Sequence, residues 1–284
     1  MTSTYDVLSD IHLDFWVRYN SNLMKMEKRI AAFTKSLLPE TPSSILVIPG
    51  DMGHYNIQNL MFVQKLKETY KYILIVAGNH DYYFVSKKQR KRYDNNSMNR
   101  WEEMKCMYSK IEGVHVLEGN TITIEGITFG GTGMWYDFSF AMQKMNRSFT
   151  QIESLWHQEM SDSALIKGLP TNTFMMFDLE RSRLERVLDD SDVIITHVGP
   201  DWSKVPHEYE LDATTSFFYF DGSPYFHKLE GKAWIFGHTH IHYDYTKYGC
   251  WFINNSLGYP SENLGKETKI VNITHNTDYS SVFI

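Results

Sequence analysis

Five short segments supply side chains with metal-binding chemistry, in one order along the chain: Asp10-Ile11-His12, Gly50-Asp51, Gly78-Asn79-His80-Asp81, Thr196-His197 and Gly237-His238-Thr239-His240. Carboxylates, an amide oxygen and imidazoles, with no thiolate among them, are donors that suit divalent cations such as Mn, Fe, Zn, Co or Ni. Asp51 has two oxygens and can bridge two ions. Asn79 offers a neutral oxygen where another carboxylate would overload the site with negative charge. Asp10 and His12 flank one residue, so an extended backbone would project both to the same side; His238 and His240 repeat that spacing. Two cations held in this way can draw charge off phosphate oxygens and lower the pKa of a shared water, whose hydroxide attacks phosphorus in line. A single histidine is more often a surface or hydrogen-bonded residue than a ligand, but five ordered motifs argue against coincidence.

Apolar runs precede nearly all of these motifs, and they are the elements that must position the donors. Val7 and Leu8 lead into Asp10. Residues 45–48 read as a buried strand halted by Pro49-Gly50, with Gly50 allowing a sharp turn before Asp51. Residues 72–76 form a second such run, 193–195 a third that ends at His197, and 233–236 a fourth that ends at His238. Helical spacing over 23–38 stops at Pro39 and Pro42, and further helices are predicted over 57–69, 97–111, 152–166 and 174–188. Residues 114–116 read as a strand, and 121–124 with 127–129 as a hairpin turning at Glu125-Gly126. Residues 243–245, 250–253 and 269–273 alternate like antiparallel strands.

Strand, helix, strand alternation predicts parallel or mixed sheets with helices on their faces. The expectation is an α/β fold, a four-layer αββα sandwich of two mixed sheets flanked by helices, as one domain over 1–284. The irregular segments 133–170 and 199–224 fall between motif-bearing strands and are expected to roof the site.

The set D-x-H, G-D, G-N-H-D, T-H and G-H-T-H resembles the calcineurin-like metallophosphoesterase superfamily, and it spans residues 10–240. That resemblance implies the αββα sandwich and a two-metal centre, with Mn or an Fe-containing pair favoured. By matching positions, one metal would be held by Asp10, His12, Asp51 and His240, and the second by Asp51, Asn79, His197 and His238. His80 would contact the phosphate and protonate the leaving oxygen, with Asp81 tuning it. Trp135-Tyr136-Asp137-Phe138 resembles a family L-W-T-D-F segment, and residues 255–260 resemble an N-P-R-G-Y-P ending. Two departures matter. Thr196-His197-Val198-Gly199-Pro200 stands where many relatives read T-H-H-A-P, and Leu257 replaces the arginine of the ending.

Around this set, Asn79, His54, Tyr82, Trp135, Tyr136 and Arg147 are candidates to touch substrate. The aromatics could stack a nucleobase or a phenyl leaving group, and Arg147 could clamp a phosphate. Tyr83 and Phe84 follow in the same run. Lys87-Lys88-Gln89-Arg90-Lys91-Arg92 puts five cations in six positions shortly after Asp81, a track for single-stranded nucleic acid or an ordinary solvated face.

A net charge of -6 argues against a long nucleic-acid surface. The motif set and its resemblance point to a phosphomono- or phosphodiesterase, and the acidic charge with the aromatic-rich rim favours small nucleotide-like substrates over a large protein or duplex DNA. A nuclease or polynucleotide-end phosphatase is the alternative, and a catalytically idle scaffold of the same fold a third reading, against which the intact donor set argues. The 42% hydrophobic content suffices for a core, and two cysteines make no disulfide framework. With no apolar run long enough for a bilayer and no signal-like leader before Asp10, a cytoplasmic protein without membrane contact is expected. The sequence carries no signal of oligomeric state.

Overall fold

The computed structural model describes residues 2–169, 173–263 and 270–276. The first half of the chain runs β1 (Thr2–Val7), α1 (Leu13–Trp16), α2 (Leu23–Leu37), β2 (Ile45–Ile48), α3 (Asn56–Leu66), β3 (Tyr72–Ile75), α4 (Lys87–Arg92), α5 (Ser97–Tyr108), β4 (Val114–Val116), β5 (Asn120–Ile124) and β6 (Ile127–Gly131). There follow α6 (Ser139–Met145), α7 (Phe149–Glu159), α8 (Ser161–Leu165), α9 (Thr173–Val187), β7 (Val193–Ile195), β8 (Ala233–Phe236), β9 (Tyr243–Lys247), β10 (Cys250–Asn254) and β11 (Val271–Asn276). Among the described residues no helix is long and apolar enough to cross a membrane.

The strands form two mixed sheets, ordered β11-β1-β2-β3-β4 and β5-β6-β7-β8-β10-β9. β1, β2 and β3 are mutually parallel, as are β7 and β8. Alternate residues of each strand go to opposite faces. Tyr5, Val7, Ile45, Val47, Leu74 and Val76 of the first sheet meet Phe129, Val193, Ile195, Ala233 and Ile235 of the second in one buried cluster. The intervening Leu46, Ile48, Ile73 and Ile75 instead face helix residues such as Met26, Ile30, Phe62 and Leu66. Both faces of these strands are thus buried, which explains their unbroken apolar runs. Each fully buried Ile or Leu contributes roughly 1.5–3 kcal/mol relative to exposure. This is the expected αββα arrangement.

Helix boundaries follow local chemistry. The Asn22 side chain caps α2 by accepting from the Lys25 amide, and α2 ends at Leu38, whose extended backbone is what a following proline requires. Ser148 and Gln151 form a capping box at the start of α7. Two expectations need correction. The helix predicted over 152–166 starts earlier and breaks at Met160, where the backbone is extended, giving α7 and α8. The C-terminal strands are not one antiparallel set: β10 is antiparallel to β9 but parallel to β8, and β11 crosses to the first sheet beside β1. Lys269, taken as the start of that last strand, lies outside the described residues.

Candidate metal centre

Asp10 and His12 follow β1, Asp51 follows β2, Asn79 and His80 follow β3, His197 follows β7, and His238 and His240 follow β8. All stand beyond the carboxyl ends of parallel strands, where open α/β sheets leave a crevice. The backbone there is not extended. Asp10, His12, Asp51, His238 and His240 have φ of 50, 43, 57, 68 and 53°. Their side chains converge through tight left-handed turns, not through strand alternation, and each turn costs roughly 1–2 kcal/mol in a non-glycine residue.

Hydrogen bonds between motifs hold these turns: Asp10 N to Gly50 O (3.2 Å), His12 N to Asp51 O (3.0 Å) and Gly237 N to His197 O (2.9 Å). The Asp10 carboxylate accepts from the His238 amide at 2.9 and 3.0 Å and from the Ser9 and Ser256 hydroxyls at 2.6 Å each. Gly78 packs so closely on the Asp51 loop that a Cβ would overlap Asp51 Oδ1 and lie 2.5 Å from its amide nitrogen.

Asp51 sits at the middle and divides its two oxygens. Oδ1 lies 3.5 Å from His197 Nε2; Oδ2 lies 3.7 Å from His12 Nε2 and 4.0 Å from His80 Nε2. To one side, His240 Nε2 is 3.6 Å from Asp10 Oδ1 and 2.9 Å from His12 Nε2. To the other, His197 Nε2 is 3.1 Å from Asn79 Oδ1. Donors about 2.1 Å from a common cation lie roughly 3–3.5 Å apart, so these spacings fit ligand shells. Asp10, His12 and His240 form one cluster of candidate ligand atoms, and Asp51, His197 and His238 another.

The outer ring nitrogens of three of these histidines support the fit. His197 Nδ1 bonds Pro49 O (2.7 Å), His238 Nε2 bonds Phe217 O (2.8 Å) and His240 Nδ1 bonds Glu262 Oε2 (2.8 Å). Each of these bonds fixes the tautomer and turns the opposite lone pair inward, as outer partners of metal-binding histidines do. The Asn79 amide is oriented in the same way: its Nδ2 donates to Asp162 Oδ1 at 2.8 Å, which aims Oδ1 at His197.

Charge follows from burial. Desolvation pushes His12 and His238 down to about 4. Burial also disfavours the charged form of His197, but the Asp51 carboxylate outweighs it and holds the ring up at about 9. Burial raises Asp10 and Asp51, yet the surrounding histidines prevail and keep both below the usual carboxylate range. A bound cation would take the place of the protons that otherwise neutralise this cluster.

His80 is half-buried and its pKa lies well below the ordinary imidazole value, through desolvation opposed in part by Asp51. Its Nδ1 is 3.0 Å from His54 Nε2, and His54 Nδ1 is 2.9 Å from Asp14 Oδ2. The partner of His80 is therefore the His54–Asp14 pair, not Asp81. The Asp81 carboxylate turns to the backbone and accepts from the amides of Gly78 (2.8 Å), Asp51 (3.0 Å) and Met52 (3.2 Å). Burial and the neighbouring Asp51 raise Asp81 to about 6. It braces the Asp51 loop and makes no side-chain bond to His80.

A cleft of about 650 Å³ opens over these groups, lined by Asp51, Asn79, His80, His238 and His240 and by residues of both irregular segments. Most of the other substrate candidates lie elsewhere. Tyr82 and Trp135 are buried in the core at 3% and 4% exposure, against Trp101 and each other. Tyr136 is fully buried, and its hydroxyl donates to Asp162 Oδ2 at 2.6 Å, so it supports Asn79 at one remove. Arg147 is exposed and does not line the cleft. None of the residues from Lys87 to Arg92 lines it either. Leu257, at the position of the missing arginine, is buried in the apolar core.

Sequence reasoning missed four neighbours. Asp14 holds His54. Asp162, on α8, receives the Asn79 amide. Glu262 receives His240 Nδ1. The Tyr259 ring stacks on His12 at 4.5 Å, with its hydroxyl 3.5 Å from His80 Nε2. Asp14 stands two residues beyond His12 and Tyr259 lies in the segment likened to N-P-R-G-Y-P, so both had a signal. Asp162 and Glu262 had none, because no pattern connects them to their partners. Within the aromatic run after the G-N-H-D motif, Tyr83 lines the cleft and Tyr82 does not.

Comparison with known proteins accords with this geometry. The uncharacterized protein L509 of Acanthamoeba polyphaga mimivirus is 25% identical over 240 residues, covering 76% of this chain and 79% of that one. The crystal structure of the phosphopantetheinyl hydrolase PptH from Mycobacterium tuberculosis superposes with a TM-score of 0.64 at 19% identity, covering 95% of each chain, a likeness of fold. The calcineurin-like phosphoesterase profile matches residues 4–242. The chain belongs to the calcineurin-like phosphoesterase family.

Proposed function

We propose that this protein is a binuclear metal-dependent phosphoesterase that hydrolyses a small phosphomono- or phosphodiester, with nucleotide-like esters as the starting candidates. The observation that carries the reading is the division of the Asp51 carboxylate, one oxygen toward His197 and the other toward His12 and His80. In this reading Asp10, His12, Asp51 and His240 hold one cation, and Asp51, Asn79, His197 and His238 the other, with Mn the first candidate. The pair would supply Lewis acidity to the phosphate oxygens and a lowered pKa to water.

The chain's own residues do the rest. Asn79 keeps the second shell from accumulating a further negative charge. Asp14 accepts the His54 Nδ1 proton, which leaves the His54 Nε2 lone pair facing His80. His80 then carries its proton on Nδ1 when neutral and directs Nε2 into the cleft. The same bond stabilises doubly protonated His80, which can pass its Nε2 proton to a departing oxygen. The Tyr259 hydroxyl limits where that nitrogen can point.

We read residues 1–284 as one catalytic domain, because donors come from both sheets and β11 returns to pair with β1. Cys106 and Cys250 are both free thiols, which suits a reducing, cytoplasmic setting. A polynucleotide track has no support, since the basic run lies off the cleft lining. An idle scaffold would not need the outer bonds that aim His197, His238 and His240.

The test is hydrolysis of bis(p-nitrophenyl) phosphate by protein stripped with chelator and reloaded with Mn. Two metal ions per chain by elemental analysis, and loss of both activity and one or both ions in Asp51→Asn, are the expected results. Full activity in the stripped protein would sink the reading.

A further inference from the structure

The donor set accounts for only part of the cleft lining. The rest includes an apolar wall of Met160, at the break between α7 and α8, with Val205, Pro206, Tyr209, Ile241 and Phe218, whose ring lies 5.1 Å from that of His238. Val205 is largely buried, Phe218 and Ile241 are half-buried, and Tyr209 is 46% exposed, so apolar surface faces the opening. A concave apolar wall beside a polar catalytic end is the usual form of a small-ligand site.

Charge is distributed unevenly. Among the described residues that line the cleft there is no lysine and no arginine. Outside the histidines and Asp51, the only ionisable side chains of ordinary carboxylate or ammonium type there are Glu159 and Glu262. Glu262 is already bonded to His240 and to the Tyr259 amide at 2.7 Å. Among the described residues Glu159 forms no ion pair, and it stands next to Met160. A phosphate sitting between the cations would find its charge met. A second phosphate elsewhere in the cleft would find Glu159 and apolar side chains in the lining, with no lysine or arginine to replace its water. Ser161, Thr214 and Thr239 supply neutral hydroxyls in the same lining.

We propose that this wall selects a phosphoester whose non-reacting arm is uncharged and largely apolar, and excludes arms that carry a further phosphate. The assignment rests on the phosphoesterase reading and narrows it from nucleotides in general to esters with a single phosphate and a neutral arm. Hydrolysis adds water across the ester bond: a new P–O bond forms from water, the P–O bond to the leaving group breaks, and the departing oxygen takes up a proton.

The experiment uses the full chain loaded with Mn and esters that share a p-nitrophenyl leaving group. The arms are methyl, phenyl, thymidine through its 5′ oxygen, and the same thymidine carrying a 3′-phosphate. The phenyl and thymidine arms are expected to exceed methyl in kcat/KM by ten-fold or more, and the 3′-phosphate to remove at least ten-fold of that gain. Calorimetry reads binding apart from turnover, with thymidine 5′-monophosphate expected to bind at least ten-fold tighter than thymidine 3′,5′-bisphosphate. Glu159→Lys should narrow both ratios and Phe218→Ala should lower the phenyl advantage over methyl. Equal or reversed preference in both assays overturns the proposal. The expected ranking in binding without hydrolysis of any ester, methyl included, would keep the proposal and remove the hydrolase reading.

Discussion

His54 Nε2 lies 3.0 Å from His80 Nδ1, and the opposite nitrogen of His54 lies 2.9 Å from Asp14 Oδ2. Two imidazoles and a carboxylate in series leave His80 only one free nitrogen, and that nitrogen faces the metal donors. In the proposed function, His54 and Asp14 would act through the orientation of His80.

If the series positions a proton donor, Asp14→Asn and His54→Gln should lower kcat by about 10- to 100-fold, within the range a positioned acid supplies. The loss should be larger for alkyl leaving groups than for p-nitrophenolate, which departs without a proton. Metal content should stay near wild type, as it should in His80→Ala, the more damaging change. A loss of the same size for every leaving group would point to a fault in folding or binding instead.

Asp162 controls the second cluster from a distance. It accepts from Asn79 Nδ2 and from the hydroxyls of Tyr83 and Tyr136 while almost wholly buried. In Asp162→Ala the Asn79 amide loses the carboxylate that sets which end points inward and is left with the Tyr83 hydroxyl, 3.2 Å from Nδ2. Mn affinity by calorimetry should fall about 10- to 100-fold, as for other outer partners of metal ligands. Turnover at saturating Mn should recover most of its wild-type value. Unchanged affinity would show that Asn79 is held by other contacts.

Metal binding should also register as stability. Asp10 and Asp51 are buried carboxylates whose negative charge is balanced by histidines, and cations bind that cluster only when it is assembled. Mn at a hundred times its dissociation constant would add about 2.7 kcal/mol. For a domain of this size that is a rise in Tm of roughly 4–5 °C by calorimetric scanning. Asp51→Asn should lose most of the rise; an identical rise in that variant would place the ions elsewhere.

Glu118 provides a pH test outside the candidate metal centre. Burial would raise its pKa, but bonds from Lys105 Nζ (2.6 Å) and Trp101 Nε1 (2.9 Å), with Arg183 nearby, hold it below the ordinary 4.5. A depressed folded-state value means the unfolded chain binds the proton more readily. The contribution is therefore fully present above about pH 4.5 and is lost as pH falls through the folded value. Glu118→Gln should cost about 1–2 kcal/mol at pH 7 in urea melts, with the difference from wild type shrinking toward pH 3. A constant difference across that range would mean that packing, not charge, sets its contribution.

Elements buried on both faces were the most legible in the amino-acid order. Residues 45–48, 193–195 and 233–236 are uninterrupted apolar runs because helices cover one face and the opposing sheet the other, and their observed bounds agree with the expected ones. The 152–166 segment was less legible. Nothing in its apolar spacing marks the extended backbone at Met160, yet that break turns Asp162 inward. Substrate candidates fared worst. Tyr82, Trp135 and Tyr136 have the same aromatic chemistry whether they stack a ligand or fill a core, and only packing decides between those fates.

Local chemistry in the chain determined the donor types, their order, and the strands whose ends carry them, since residue identity and period are properties of the sequence itself. The tertiary structure decided which donors share an ion-sized space, which nitrogen of each histidine faces inward, and that His80 answers to His54 instead of Asp81. Those outcomes depend on groups far apart in the chain, such as Asn79 with Asp162 and Asp10 with Ser256, being brought within hydrogen-bonding distance. Hydrogen bonds and charge act through space, so their partners exist only once the two sheets have packed.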